Sequence, residues 1–325
     1  VLVDGIQAPG LDFINQDLLE LASIEVLRGP QGALYGRGAI GGAVLINTVQ
    51  PGDEWKDHLT LGYGNGRSVR ALNTVSGPFS DTIGVTLTTG YRYMRGLIND
   101  TGLGRPADHS RQGAARLSLV FKPDEATRIA LTGSISQGRD GASYVVANAA
   151  IDPSLSPSRN LDTTDRRNIK SVSLKIEREV GFGTITSISQ YARSSSRVLG
   201  DADWSPAAIA RQQNDITVSA FNQDVRLSSK QDGPLRWMVG AFYQHRRSHD
   251  FLFVDGDPAG FLAGFTLAQG DNHSRSQAYA AYTQLDADIA SGLKLTGALR
   301  YDVDERKDQD FLVAGSQVSG KFSSL

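Results

Sequence analysis

The chain has no cysteine. Disulfide staples, thiolate metal sites and a cysteine nucleophile are therefore excluded. The compartment stays open, because exported and cytosolic proteins alike can do without the residue. No apolar run approaches the roughly 18 residues that a membrane-crossing helix needs, which excludes a helical membrane protein. A barrel is untouched by that test, since its strands alternate and average out in hydropathy. Net charge is nearly absent as well: 33 basic and 35 acidic residues leave −2 over 325 positions. Nothing in that balance points to nucleic acid or to general anionic-surface binding. The opening VLVDGIQAPG has neither a basic start nor an apolar core, so no signal peptide is read there. G-x-S-x-G, H-E-x-x-H and Walker A patterns do not occur, and the common hydrolase and NTPase routes lack their starting residues.

What the chain does have is glycine, 35 residues of it. The densest stretch is Ile24 to Thr48, IEVLRGPQGALYGRGAIGGAVLINT, with Gly29, Gly32, Gly36, Gly38, Gly41 and Gly42 between two β-branched segments. Such density suits backbone that turns repeatedly and packs closely, and it does not suit a helix interior. Gly36-x-Gly38-x-x-Gly41 matches the dinucleotide fingerprint in letters. That fingerprint needs a helix N-terminus after the glycines to hold a pyrophosphate, whereas Gly41-Gly42 runs into the strand-like AVLIN. A nucleotide-dependent oxidoreductase fails on this context. Upstream, Asp17-Leu18-Leu19-Glu20 offers a helix N-cap with an acid three residues on, so a short helix through Ala22 is expected.

Beyond Pro51-Gly52 the texture changes to long segments that alternate at period two. Leu293, Leu295, Gly297, Leu299, Tyr301 and Val303 oppose Lys294, Thr296, Ala298, Arg300, Asp302 and Asp304. Val172, Leu174 and Ile176 against Ser171, Ser173 and Lys175 do the same, and about eleven strands meet the criterion. Short turns are expected at Gly77–Asp81, Lys122–Ala126, Glu179–Gly183, Ser229–Pro234 and Ala290–Gly292. Longer loops are expected at Gly96–Ser110, Gly138–Arg166, Ser196–Asp215 and Ser248–Ser274. Short and long connections alternate, with the first hairpin, through Gly64–Arg67, as the exception. A membrane barrel sorts its connections in this way and a soluble sandwich has no reason to. Phe79, Phe121, Phe182 and Trp237 sit beside short turns, while Tyr63, Tyr91, Tyr191, Tyr243 and Tyr301 lie nearer the other strand ends, as two aromatic girdles would.

The block from Ile24 to Thr48 resembles the end of the plug domain of TonB-dependent outer-membrane receptors. The residues that carry the match are Arg28, Gly29, Pro30, Gly32, Tyr35, Gly36, Gly41 and Gly42, with the strand Ile24-Glu25-Val26 before them. The resemblance implies a mostly β fold: a plug remnant at residues 1–50, then at 51–325 the N-terminal half, some 11–12 strands, of an antiparallel up-and-down transmembrane barrel that holds about 22 in the family. It further implies import of a scarce ligand across the Gram-negative outer membrane, most simply a ferric siderophore or other iron chelate. The partners implied are outer-membrane lipid and a TonB-type energy-transducing inner-membrane protein. The glycines would have a structural role, and Arg28 would pair with carboxylates on the barrel wall. By comparison with the family, the leader, the TonB-contacting box, the first part of the plug and the closing strands are missing, so an internal fragment with two open sheet edges is expected.

Chemistry-bearing constellations are few. His245-x-x-x-His249 has the spacing of a helical metal pair, but on a strand the two lie about 13 Å apart, too far for one ion. His58, His109 and His273 read as isolated and solvated. No metal, no cofactor and no catalytic residue are expected, and an enzyme is not the reading. Binding is expected from the outer loops, where Arg166, Arg167, Trp204, Arg246 and Arg247 form a set suited to an anionic, partly aromatic ligand. The alternative from another class is a soluble β-rich carbohydrate-binding or structural protein, which leaves the parity of the loops unexplained.

Overall fold

The computed structural model describes residues 1–10, 13, 20–29, 32, 39, 41–141, 157–230, 232–290, 292–313 and 315–324. Two sheets account for most of it. The first is small: β1 (Leu2–Val3), β2 (Ile6–Gln7), β3 (Leu21–Arg28) and β4 (Gly42–Thr48), in the order β2-β1-β4-β3. β1 turns back into β2 through Asp4 and Gly5, both at positive φ. β1 lies parallel to β4, and β3 lies antiparallel to it. Glycine is required at Gly42, where φ is +147° and a Cβ would lie 2.3 Å from the Leu27 carbonyl oxygen. Only a residue without a Cβ lets β4 start that close to the end of β3.

The helix expected through Ala22 does not form at its end: Leu21 and Ala22 open β3 instead. Pairing Leu21 with Thr48 and Ile24 with Ile46 satisfies the backbone along the sheet, and a local capping signal does not compete with a ladder of that length. Positions 17–19, like Pro30, Tyr35 and Gly36 of the glycine-rich block, lie outside the described residues.

The second sheet has twelve strands in sequence order, a pure antiparallel meander. It runs β5 (Lys56–Gly64), β6 (Ser68–Pro78) and β7 (Ile83–Met94). After a small hairpin of β8 (Asn99–Asp100) and β9 (Arg105–Pro106) it continues with β10 (Ser110–Asp124), β11 (Thr127–Asp140) and β12 (Thr164–Val180). Next come β13 (Gly183–Asp201), β14 (Ala210–Ser229) and β15 (Leu235–Gly256), then β16 (Thr266–Ala290), β17 (Leu293–Asp310) and β18 (Val318–Ser324). The expected short turns all lie at one end of the strands. Two of the long loops are shorter than expected. β15 has 22 residues and β16 has 25, so most of Ser248–Ser274 is strand, and β13 and β14 likewise take up much of Ser196–Asp215. These stretches show no alternation of apolar and polar residues, so period two does not mark them as strand.

The small sheet identifies the inner face of the large one. Phe13 packs into a buried cluster with Ile169, Ala192 and Val218. Arg116 reaches Asp4, and Asn222 Nδ2 donates to the Gln7 carbonyl at 3.4 Å. The inner wall is polar and small. A row of directly opposed residues, Ser76–Thr86–Ser118–Thr132–Ser173–Gln190–Asn222–Gln244, crosses eight strands. Hydroxyl pairs such as Ser76–Thr86 at 2.8 Å, and Asn222 Nδ2 donating to Gln190 Oε1 at 3.2 Å, satisfy it without water. Residues of the opposite parity turn outward and carry the apolar content: Val172 is 47 % exposed, Tyr191 48 % and Leu299 55 %. Alternation at period two thus divides a polar interior from an apolar exterior.

Candidate functional site

Two regions of this architecture can do something beyond holding shape: the contact between the small sheet and the wall, and the loop layer at the far end of the strands. At the first, Asp4 is the hub. Its carboxylate accepts hydrogen bonds from Thr48 N at 2.8 Å, from Thr48 Oγ1 at 2.9 Å and from Arg116 of β10. The β1–β2 turn is thereby tied both to its own sheet and to the wall. Arg128 of β11 donates to Gln50 Oε1 at 2.9 Å, and His58 of β5 meets Glu20 at 2.9 Å, so His58 is partnered rather than isolated. Arg28 ends β3 exposed, and among the described residues no carboxylate pairs with it. Among the described residues, an arginine ion pair between the small sheet and the wall comes from Asp4, which carries no motif of its own.

The loop layer is held together by buried polar contacts. Asp100 and Arg159, on different loops, have fully buried side chains, with Arg159 Nε donating to Asp100 Oδ2 at 2.6 Å. Backbone amides of Gly102, Leu103 and Arg159 donate to the other carboxylate oxygen. Burial acts to raise the Asp100 carboxyl. The Arg159 side-chain bond, the amide bonds and the guanidinium charge outweigh it and hold the group below the ordinary aspartate value of 3.8. Asn160 then joins two further loops, its amide to the Ser205 carbonyl at 3.2 Å and its side chain to Asp257 Oδ2 at 2.8 Å. Asp203, which burial alone would raise, is held low by its bonds from Ser205 and the Ala210 amide. Asp100, the neighbours Arg159 and Asn160, and Asp257 had no signal in the sequence: polar residues spread over three separate segments match no motif.

The five residues expected to bind ligand are not brought together. Adjacent strand residues face opposite sides, so each arginine pair is split by the wall. Arg167 turns inward and pairs with Asp165 at 2.7 Å, while Arg166 turns outward. Arg246 shares the inner parity of Gln244, and Arg247 is exposed on the outer face. Trp204, at φ 55° and 49 % exposed, stands on the loop between β13 and β14.

The expectation of no metal-ligand cluster needs a correction. His249 of β15 lies opposite His273 of β16, and their rings stack at 4.1 Å. Both contact Asp271 Oδ1, His249 Nε2 at 2.7 Å and His273 Nε2 at 3.2 Å. His273 is therefore not isolated, and His249 finds its partner across the sheet rather than at His245. Two imidazoles and a carboxylate are a donor set for first-row divalent cations. The field around them opposes it, since Arg247, Arg275 and Lys307 line the same groove.

Comparison with known proteins settles the kinship. Residues 114–324 match the family model for the TonB-dependent receptor-like β-barrel, and residues 1–43 match the TonB-dependent receptor plug domain. The chain belongs to the TonB-dependent receptor family. The pesticin receptor of Yersinia enterocolitica is 39 % identical over 129 residues, 38 % of this chain and 18 % of its own length. The ferric enterobactin receptor PirA of Pseudomonas aeruginosa is 25 % identical over 317 residues, 87 % of this chain and 42 % of its own. Among solved structures, the ferric yersiniabactin uptake receptor FyuA of Yersinia pestis superposes with a TM-score of 0.82 at 22 % identity. That match covers 99 % of this chain and 50 % of FyuA. The chain thus spans half or less of the length of each of these three relatives.

Proposed function

We propose that residues 1–50 are the C-terminal part of a plug and residues 51–325 the N-terminal half of a barrel. The whole would be a Gram-negative outer-membrane receptor that imports an iron chelate of the siderophore class, driven by a TonB-type inner-membrane protein. The observation that carries the proposal is the seating of a small sheet on the polar inner face of a meander whose outer face is apolar. A gated pore through lipid needs that arrangement. The names of the matched relatives, receptors for pesticin and for a ferric siderophore, support the cargo class and give no support to catalysis. Within the plug motif, Arg28, Gly29, Pro30, Gly32, Tyr35, Gly36, Gly41 and Gly42 are assigned a structural role. Ligand contact is assigned to Trp204 and to the inward-facing Arg167 and Arg246, with Arg166 and Arg247 left to the outer face.

The test is uptake. The complete protein, as the sole iron receptor of a host strain, is expected to accumulate radioactive iron from a siderophore panel only when the energy-transducing protein is present. Uptake that persists without the transducer would refute active import. Recovery of the protein in the soluble fraction would favour the carbohydrate-binding alternative instead.

A further inference from the structure

Near the far end of β15 and β16 the pairing of the strands brings three metal-ligating side chains to one point. On β12–β17 a row of directly opposed positions reads Lys170–Arg193–Ser219–Arg247–Arg275–Lys307. Two residues further out the row reads Asn168–Ser195–Thr217–His249–His273–Gln309. Two beyond that, Asp271 stands opposite Phe251. All share the outward parity of Val172 and Tyr191, so this cluster lies off the inner wall.

Register alone makes the cluster. His249 and His273 are cross-strand partners with rings stacked at 4.1 Å. Asp271 is two residues from His273 and therefore on the same face of β16. Both Nε2 atoms converge on Asp271 Oδ1, at 2.7 and 3.2 Å, and one donor atom from each residue lies within 4.8 Å of the other two. An ion with bonds of about 2.0–2.2 Å holds its donors about 3 Å apart, so small rotations of these side chains complete the set. Phe311 packs edge-on against His273, with ring centres 4.4 Å apart, and restrains that imidazole. The three side chains are 27 to 45 % exposed, which leaves an ion a path from solvent.

Two imidazoles and one carboxylate suit Cu²⁺ and Zn²⁺, which bond to neutral nitrogen. The surrounding charge sharpens that choice. Arg247, Arg275 and Lys307 stand two residues away, about 7 Å along their strands, and Asp215 is engaged by Arg197 at 2.7 Å. Ca²⁺ and Mg²⁺ depend on oxygen donors and charge, so one carboxylate in a cationic field does not hold them. The same field weakens a nitrogen-bound ion and leaves its bonds in place.

We propose that His249, His273 and Asp271 bind a divalent transition-metal ion, Cu²⁺ or Zn²⁺, with water completing the shell. The bound ion ties β15 to β16 on the outward face. Because the site lies off the lumen, it stands apart from the import reading given above.

The test uses the complete protein in neutral detergent, free of any purification tag, stripped by chelator and titrated calorimetrically with the chlorides of Cu²⁺, Zn²⁺, Ca²⁺ and Mg²⁺. One Cu²⁺ or Zn²⁺ per chain is expected, Cu²⁺ the tighter, with no binding of Ca²⁺ or Mg²⁺. Electron paramagnetic resonance of the Cu²⁺ form should show coupling to two nitrogens. His249→Gln and His273→Gln should each bind Zn²⁺ more weakly by roughly 100-fold or more, exceeding the loss of an outer-shell partner. His109→Gln should bind as wild type does. Arg247→Gln/Arg275→Gln should bind about fourfold more tightly, at about twofold per charge removed once screening is counted. Saturating Zn²⁺ should slow amide exchange over 246–254 and 268–276 and leave 183–200 unchanged. The absence of saturable Cu²⁺ or Zn²⁺ binding, wild-type affinity in both histidine variants, or weaker binding in the arginine variant would overturn the proposal. Unchanged exchange at saturation would remove the tie between the strands.

Discussion

Removing the Asp100 carboxylate should open the loop layer and leave the strands beneath it closed. Asp100 and Arg159 are both 0 % exposed, and the carboxylate takes four hydrogen bonds of 2.6 to 3.1 Å. In Asp100→Ala the guanidinium stays buried without its counter-charge, a change that costs about 3–5 kcal/mol. At about 1.4 kcal/mol per tenfold, amide exchange in the tied loops should accelerate by roughly two to three and a half powers of ten. Hydrogen–deuterium exchange of the complete protein in detergent would measure it, comparing peptides over 98–104 and 157–162 with strand peptides over 183–200. Asp100→Leu/Arg159→Met removes both charges and should recover most of the protection, since apolar groups of similar volume replace a buried pair at little cost. Exchange unchanged in Asp100→Ala, or equally raised in the strands, would refute the reasoning. The pH dependence has a fixed sign. Because the folded-state pKa of Asp100 is depressed, its stabilisation is present in full above the ordinary value of 3.8. It is lost as pH falls through the lower folded value, so the loops should loosen on acidification below pH 3.8 and not on alkalinisation.

Two further expectations concern the plug. Arg116→Ala removes the charged bond from the wall to Asp4, worth about 1.5–3 kcal/mol. Planar-bilayer conductance of the complete receptor should then appear at lower urea than in wild type, and an unchanged threshold would remove Asp4–Arg116 as the tie. Gly42→Ala places a Cβ 2.3 Å from the Leu27 carbonyl oxygen, whereas a Cβ on Gly41 meets nothing within 4 Å. Thermal unfolding should show a loss of about 1–3 kcal/mol for Gly42→Ala and less than about 0.5 kcal/mol for Gly41→Ala. Equal effects would contradict the close approach of β3 and β4.

Much of the fold is legible along the chain because period two is a local signal. Leu293 to Val303 alternates whether or not β16 and β18 are in place, and the turn at Ala290–Gly292 marks where the chain reverses. The small helix through Ala22 was misread for the opposite reason: an N-cap pattern is local, but the partner that overrides it, β4, lies 21 positions away. The loop boundaries differ at the far ends of β15 and β16 because those stretches carry no alternation to read.

By itself, then, the sequence determined the class of the protein: an antiparallel meander with sorted connections and a glycine-rich block suited to repeated turns. Spacing along one strand is enough for that. Only the tertiary structure decided what meets what. It placed Asp4 against Arg116, Asp100 against Arg159 and His249 beside His273. It also split Arg166 from Arg167 across the wall. And it aligned Lys170, Arg193, Arg247, Arg275 and Lys307 from five different strands into one row. Such contacts depend on the register between strands, and register is set by pairing across the whole sheet rather than by any stretch of the chain.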